Sequence, residues 1–236
     1  MTATGLRPYL KIAHRGASAH EPENTIRAFL RAVELGADYS EMDVHLSQDG
    51  HPVIIHDARL ERTTNGRGLV HEKTLAELKT LDAGKGERIP TLQEVCEALR
   101  GRSGLYLELK GVGTPGPTYQ VLHQCYWNDR VFAGSFKPDL IRQFRAIAPW
   151  IPTSLLIKET QGRFLEATKE LGATYAHLCW EDQAPQPHRL ITPELIARAR
   201  ELGLGIMAWH EERASEIREL AKLPIQGVFS NNPEML

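Results

Sequence analysis

Seven ionisable residues stand at the edges of short apolar segments: His14, Arg15, Glu41, Asp43, His56, Glu108 and Lys110. Gathered in one small mouth, Glu41, Asp43 and Glu108 would repel one another, and some of their pKa values would rise unless a cation neutralised them. An all-oxygen set with no cysteine suits one hard divalent ion, Mg²⁺ or Ca²⁺ with Mn²⁺ as a further candidate, better than zinc. Arg15 and Lys110 add the cationic donors that usually partner a phosphate. Two histidines, with unperturbed pKa values near 6.5, suit a general base and a general acid working as a pair at neutral pH. The combination points to displacement at phosphorus.

Taken singly, these residues have ordinary explanations. A lone histidine is more often a satisfied structural residue, and a Glu-x-Asp pair more often a solvated strand face. What separates them from background is that they recur at the ends of different strands, whereas surface charge normally lies on helices. His71, His123, His177, His188 and His210 lack such company and read as surface or structural. His45 shares a face with Glu41 and Asp43 but lies further along the same strand.

Rigid elements must hold these groups. Tyr39, Glu41, Asp43 and His45 alternate with Met42, Val44 and Leu46, the period of two that puts the acidic set on one strand face. Before them come a strand over Tyr9–Ala13 and a helix over Asn24–Leu35, with Ile26, Phe29, Leu30 and Val33 on one side and Gly36 at its C-terminal cap. Asp49-Gly50 signals a hairpin, and Pro52–Ile55 the returning strand. Residues 57–90 break the rhythm and read as an insertion, with a loop at Thr63–Gly68 and a short helix near Thr74–Leu81.

The alternation then resumes. Helices are expected over Leu92–Leu99, near Tyr119–Tyr126, and over Pro138–Ile147, Arg163–Leu171, Pro193–Leu202 and Glu211–Ala221. Strands are expected over Leu105–Leu109, Val131–Gly134, Thr153–Ile157, Thr174–Leu178, Leu204–Ala208 and Gly227–Phe229. About eight strands separated by helices predict an α/β fold, a TIM (β/α)8 barrel forming one catalytic domain over residues 1–236. No GxGxxG follows the first strand, which weighs against a dinucleotide fold. Only Ser230–Leu236 follow the last strand, and at 1.5 Å per residue they make roughly two turns at most, so the eighth helix is expected to be truncated.

Composition narrows the function classes. The 236 residues carry a formal net charge of −2, with no electrostatic footprint for nucleic acid or an anionic membrane. With 42% hydrophobic and 25% charged residues the chain can bury a sizeable core, which excludes a disordered chain, collagen and a coiled coil. Cys96, Cys125 and Cys179 are scattered without a CxxC pair, and the N-terminus lacks the pattern of a secretory leader. A cytoplasmic enzyme with a small-molecule substrate and no stable membrane association is expected, and a homodimer is left open.

At these residues the chain resembles the glycerophosphodiester phosphodiesterase family. The matching segments are His14-Arg15-Gly16, Glu21-Pro22-Glu23-Asn24-Thr25, Glu41-Met42-Asp43-Val44, Asp49-Gly50, His56-Asp57 and Arg62-Thr63-Thr64-Asn65-Gly66. Ile89-Pro90-Thr91-Leu92, Glu108-Leu109-Lys110, Ser135-Phe136 and Trp209 continue them in the family's order. The resemblance implies a TIM-like barrel with a small insertion after His56-Asp57. It implies Glu41, Asp43 and Glu108 as metal ligands, His14 and His56 as the acid–base pair, and Arg15 and Lys110 as phosphate contacts. Glu23, Asn24 and Asp57 would support them, and Phe136 and Trp209 would wall the glycerol or alcohol end.

The implied reaction is hydrolysis of a glycerophosphodiester, such as glycerophosphocholine or glycerophosphoethanolamine, to glycerol 3-phosphate and an alcohol. The alternatives are a phosphodiesterase of the phospholipase D type acting on lysophospholipids, and a catalytically silent barrel that binds phosphorylated ligands. One departure stands out: where the family usually has Thr-Asp near the C-terminus, this chain has Ser230-Asn231, which puts in doubt a polar tie of the last loop.

Overall fold

In a computed structural model that describes residues 9–125 and 130–236, eight parallel strands close on themselves. These are β1 (Leu10–Ala13), β2 (Tyr39–Leu46), β4 (Gly104–Leu109), β5 (Val131–Ser135), β6 (Thr153–Ile157), β7 (Tyr175–Cys179), β8 (Gly205–Trp209) and β9 (Gly227–Ser230). β9 pairs with β1, and β1 with β2, which completes the ring. The ninth strand, β3 (Pro52–Ile54), runs antiparallel to β2 and extends the sheet outside the ring.

Helices α1 (Ile26–Glu34), α3 (Leu92–Leu99), α4 (Pro115–Cys125), α5 (Pro138–Ile147), α6 (Phe164–Glu170), α7 (Pro193–Glu201) and α8 (Ala214–Leu220) connect the barrel strands. The shorter α2 (Leu75–Leu78) lies between β3 and α3. After β9 comes a single 3-10 turn, Pro233–Met235. This is the expected barrel with its truncated eighth helix. The expected helix end at Tyr126 lies outside the described residues.

The alternation along each strand sorts its side chains into two layers. Ile12, Tyr39, Tyr106, Phe132, Leu156, Met207, Trp209 and Phe229 fill the barrel interior, while Met42, Val44, Leu105, Leu107 and Leu109 face the surrounding helices. The interior carries one polar knot, in which Tyr106 Oη pairs with Ser154 Oγ and lies 2.7 Å from His177 Nδ1. Burial pushes the His177 pKa down to about 3, so this ring stays neutral.

Between β3 and α3 the chain builds a small apolar centre of its own from Val53, Leu60, Val70, Leu78 and Ile89. Thr74 and Glu77 form a capping box that starts α2, and this local device makes a one-turn helix worthwhile where propensity alone would not.

Three helix starts differ from the periodicity: α4, expected near Tyr119, begins earlier at Pro115, because a proline is well placed in the first turn of a helix, and two others begin late. Asn24 is expected in α1, yet the helix begins at Ile26 with Thr25 as its cap, and Asn24 adopts a left-handed φ of 58°. The last full helix is expected from Glu211 but begins at Ala214, because the side chains of Glu211 and Arg213 bind each other and neighbouring backbone instead of extending the helix.

Candidate active site

Register brings the carboxylates together. β2 and β4 pair with Asp43 opposite Glu108, and β1 ends at Ala13 opposite Ser40, so His14 arrives level with Glu41. One oxygen from each of Glu41, Asp43 and Glu108 lies within 4.8 Å of the others, and all three residues are at most 1% exposed. Glu41 Oε1 and Glu108 Oε2 have no hydrogen-bond partner, while Asp43 Oδ1 has only an ion-pair contact with Lys110 Nζ at 3.3 Å. Buried carboxylate oxygens left open are costly. A divalent cation is the group that fits an oxygen-only donor set of this charge.

The electrostatics agree with that fit. Burial, reinforced by Asp43, pushes the Glu108 carboxyl up to about 7, and burial with Asp43 and Glu108 holds Glu41 well above the ordinary range. Burial would raise Asp43 too, but Lys110, His56 and Arg15 outweigh it and keep it ionised. Burial alone would lower the Lys110 pKa, yet Asp43 and Glu108 raise it, so the ammonium stays charged with Nζ 2.9 Å from Glu108 Oε1.

Arg15 and Asn24 are two of the three non-glycine residues with positive φ among the described residues, both at 58°. That conformation costs roughly 1–2 kcal/mol per residue, and the site repays it. The turned backbone lets Arg15 N donate to Glu41 Oε2 at 2.8 Å, and lets Asn24 Nδ2 donate to Asp43 Oδ2 at 2.8 Å. Gly16 completes the turn at φ 78°, where any Cβ would fall 2.7 Å from the Ala28 backbone. The Arg15 guanidinium is held by Glu23 at 3.0 Å, with Nε 3.5 Å from Asp43 Oδ2.

The two histidines are mounted differently. His56 Nδ1 is 2.5 Å from Asp57 Oδ1, and Asp57 in turn accepts from Arg62, which also grips both oxygens of Glu23 at 2.8 Å. His14 Nδ1 lies 2.8 Å from Asn231 Oδ1, with Nε2 buried and without a partner. Burial, Arg15 and His210 all hold the His14 pKa well below its usual value. Burial also lowers His56, opposed by Asp43 and Asp57.

Phe136 and Trp209 face each other with ring centroids 5.7 Å apart, Trp209 lies 5.0 Å from His14, and Lys158 Nζ stands 5.1 Å over the Phe136 ring. A cavity of about 270 Å³ lined by His45, His56, Glu108, Lys110, Ser135 and Phe136 opens beside the centre. His45 Nε2 donates to the His56 carbonyl at 3.1 Å, so His45 supports the segment that carries His56.

All twelve residues singled out in the sequence therefore lie in one mouth or touch it directly. Reading His210 as merely surface or structural needs correction. Its ring stacks on His14 at a centroid distance of 4.7 Å, and Glu212 Oε1 lies 3.2 Å from its Nδ1. Glu212 also accepts from the Asn231 backbone and from Ser230 Oγ, so the last loop is tied despite the missing carboxylate at position 231. Glu212 and the bridging role of Arg62 carry no periodic signal. Arg62 was visible only as part of a motif, and Glu212 only as a carboxylate just beyond a strand end.

Comparison with known proteins places this geometry. The model of the glycerophosphoryl diester phosphodiesterase family matches residues 14–111 and 117–235. A glycerophosphodiester phosphodiesterase of Caldanaerobacter subterraneus is 37% identical, over 96% of each chain. The crystal structure of a glycerophosphodiester phosphodiesterase from Agrobacterium tumefaciens superposes with a TM-score of 0.83 at 30% identity, covering 96% of this chain and 98% of that one. A phosphodiesterase of Oleispira antarctica, solved with its product sn-glycerol-3-phosphate, gives a TM-score of 0.86 at 31% identity over 94% and 93% of the two chains. With the family model matched over most of its length, close relatives and the same fold, this chain belongs to the glycerophosphoryl diester phosphodiesterase family and is a hydrolase.

Proposed function

We propose that the protein hydrolyses small glycerophosphodiesters, such as glycerophosphocholine or glycerophosphoethanolamine, to sn-glycerol 3-phosphate and an alcohol. The observation that carries this reading is the desolvated trio of Glu41, Asp43 and Glu108, set between Arg15 and Lys110 with a histidine on either flank. The product-bound relative from Oleispira antarctica supports the choice of substrate class. Relatives named as glycerophosphodiester phosphodiesterases favour it over the phospholipase D alternative.

Glu41, Asp43 and Glu108 would hold one divalent ion, Mg²⁺ or Ca²⁺ with Mn²⁺ as a further candidate. When bound, that ion supplies positive charge for the phosphoryl oxygens. Arg15, pinned by Glu23 and Asp43, and Lys110, pinned by Glu108, add fixed positive charge at the same place, so no reorganisation is needed as charge develops. Phe136 and Trp209 wall the glycerol or alcohol end.

His14 Nε2 takes a proton from the nucleophile while the new P–O bond forms: either water attacks directly, or the neighbouring glycerol hydroxyl attacks and water then opens the cyclic phosphate to glycerol 3-phosphate. His56, its Nδ1 anchored on Asp57, gives a proton from Nε2 to the leaving alkoxide as the old P–O bond breaks. Glu23, Asn24 and Asp57 orient these groups without touching the reacting atoms. A substrate panel coupled to glycerol 3-phosphate detection, run with Mg²⁺, Ca²⁺ and Mn²⁺ in turn, tests the assignment. Release of glycerol 3-phosphate from glycerophosphocholine supports it, and turnover confined to lysophospholipid overturns it.

A further inference from the structure

We infer that Asn231 sets the working tautomer of His14: by accepting from Nδ1–H through its amide oxygen, it leaves Nε2, the ring nitrogen without a partner of its own, as an unprotonated lone pair. The catalytic meaning rests on the proposed role of His14 as base. The geometry stands without it.

Asn231 Oδ1 is 2.8 Å from His14 Nδ1 and also 2.8 Å from Ser18 Oγ. The residue bearing that amide is itself fixed, since its backbone N–H donates to Glu212 Oε1 at 2.6 Å and the neighbouring Ser230 hydroxyl donates to Glu212 Oε2 at 2.9 Å. Ser230 and His14 are also joined through the main chain, His14 N donating to Ser230 O at 2.9 Å. Ring, amide and loop therefore form one unit, with His14 3% exposed.

The choice of amide over carboxylate is what matters. Either group can accept from Nδ1–H and fix the tautomer, but a carboxylate would also stabilise the imidazolium and keep Nε2 protonated up to a higher pH, whereas the amide leaves Nε2 unprotonated over a wider range. Every other group facing His14 agrees. Arg15 follows it in the chain, His210 stacks on it, Trp209 tilts against it, and His56 adds a second imidazole to its field. Glu212, the carboxylate nearest this unit, is occupied by donors from His210, Ser230 and Asn231, and among the described residues no carboxylate hydrogen-bonds the His14 ring. His56, by contrast, has Asp57 directly on Nδ1. Asn231 is thus a positioning residue that keeps its histidine ready to accept, whereas Asp57 keeps the other ready to give.

The direct test is a long-range ¹H–¹⁵N spectrum of the full-length protein with ¹⁵N-labelled histidine, the His14 signals assigned by their loss in H14A. A protonated Nδ1 and an unprotonated Nε2 at neutral pH are expected. A proton on Nε2, meaning that the amide is reversed and donates to Nδ1, overturns the inference, as does a freely exchanging mixture. Kinetics of N231A and N231D add a readout that a merely structural role would not move. N231A should lower kcat about 10–100-fold with little change in KM, the usual loss for a partner that orients a catalytic group. N231D should keep the tautomer and shift the acidic limb of kcat/KM to higher pH. An N231A protein with wild-type kcat and wild-type tautomer contradicts the inference. If H14A itself retained activity, the role of His14 as base would fall while the tautomer result would stand, so the two failures are distinguishable.

Discussion

Behind His56 runs a chain of formal charges, Asp57, Arg62, Glu23 and Arg15, laid over the rim where the segment after β3 meets the barrel. Behind His14 stand an amide, a hydroxyl and a stacked imidazole, packed into the seam where β9 closes on β1. The first half is partly solvated, with the Arg62 side chain 44% exposed, while His14 is almost wholly buried. In the proposed reaction, two copies of one residue type would be prepared for opposite tasks by what touches the far nitrogen. Charge behind a ring favours holding a proton, and a neutral acceptor fixes the ring without doing so. In that reaction the burial on the His14 side would have a use, because a desolvated imidazole stays neutral.

The largest effects should come from removing what both halves share. Exhaustive chelation is expected to abolish turnover of glycerophosphocholine, and a divalent ion to restore it; full activity in excess chelator would remove the metal from the account. Next, H14A and H56A should each lower kcat by about 10²–10⁴-fold, the worth of general acid–base catalysis. A near-native rate in either variant would break the pairing.

The charged half can then be sharpened alone. R62A frees Asp57 and Glu23 together, so kcat should fall about tenfold. Thermal stability should fall only modestly, because partly exposed ion pairs contribute about 1 kcal/mol or less each. A large loss of stability with unchanged kcat would make Arg62 a structural strut instead.

The smallest expected effect is on stability against pH. Glu108, raised by burial to about 7, and Glu41, raised by the same cause, bind protons more tightly in the folded chain. Stability of metal-free protein should therefore fall as pH rises toward 7, and added metal should restore it there. For Asp57 the Arg62 hydrogen bond is the leading cause of a lowered pKa, and for Glu23 the Arg62 and Arg15 contacts outweigh burial. Their contribution has the opposite sign and is lost below pH of about 4. Calorimetry on chelated protein should show a Tm maximum in mildly acidic buffer, each kcal/mol counting for about 2–4 °C in a chain of this size.

How much of this was legible in the sequence follows from the range of each interaction. Glu41 and Asp43 were readable because a strand repeats every two residues and the apolar partners Met42 and Val44 marked the other face. Glu108 and Lys110 were readable from their place at the end of the strand expected over Leu105–Leu109, which is the end of β4. The left-handed turn at Arg15 and Asn24 was not, since it breaks local preference and is held only by Glu41 and Asp43 on another strand. The bond from His14 to Asn231 spans 217 positions, and the stacking of His210 on His14 exists only once the barrel closes. Period and propensity see a few residues at a time, so contacts across the seam lie beyond them.

The division of labour between the two histidines is the claim on which the account turns, and a change of leaving group tests it directly. A glycerophosphodiester that releases p-nitrophenol needs little protonation of its leaving oxygen, whereas glycerophosphocholine needs it. Compared on both substrates with wild-type enzyme, H56A should be impaired on glycerophosphocholine and recover to near wild-type turnover on the nitrophenyl ester, while H14A should be impaired on both. Equal impairment of H56A on both substrates, or recovery of H14A in place of H56A, would contradict the assignment.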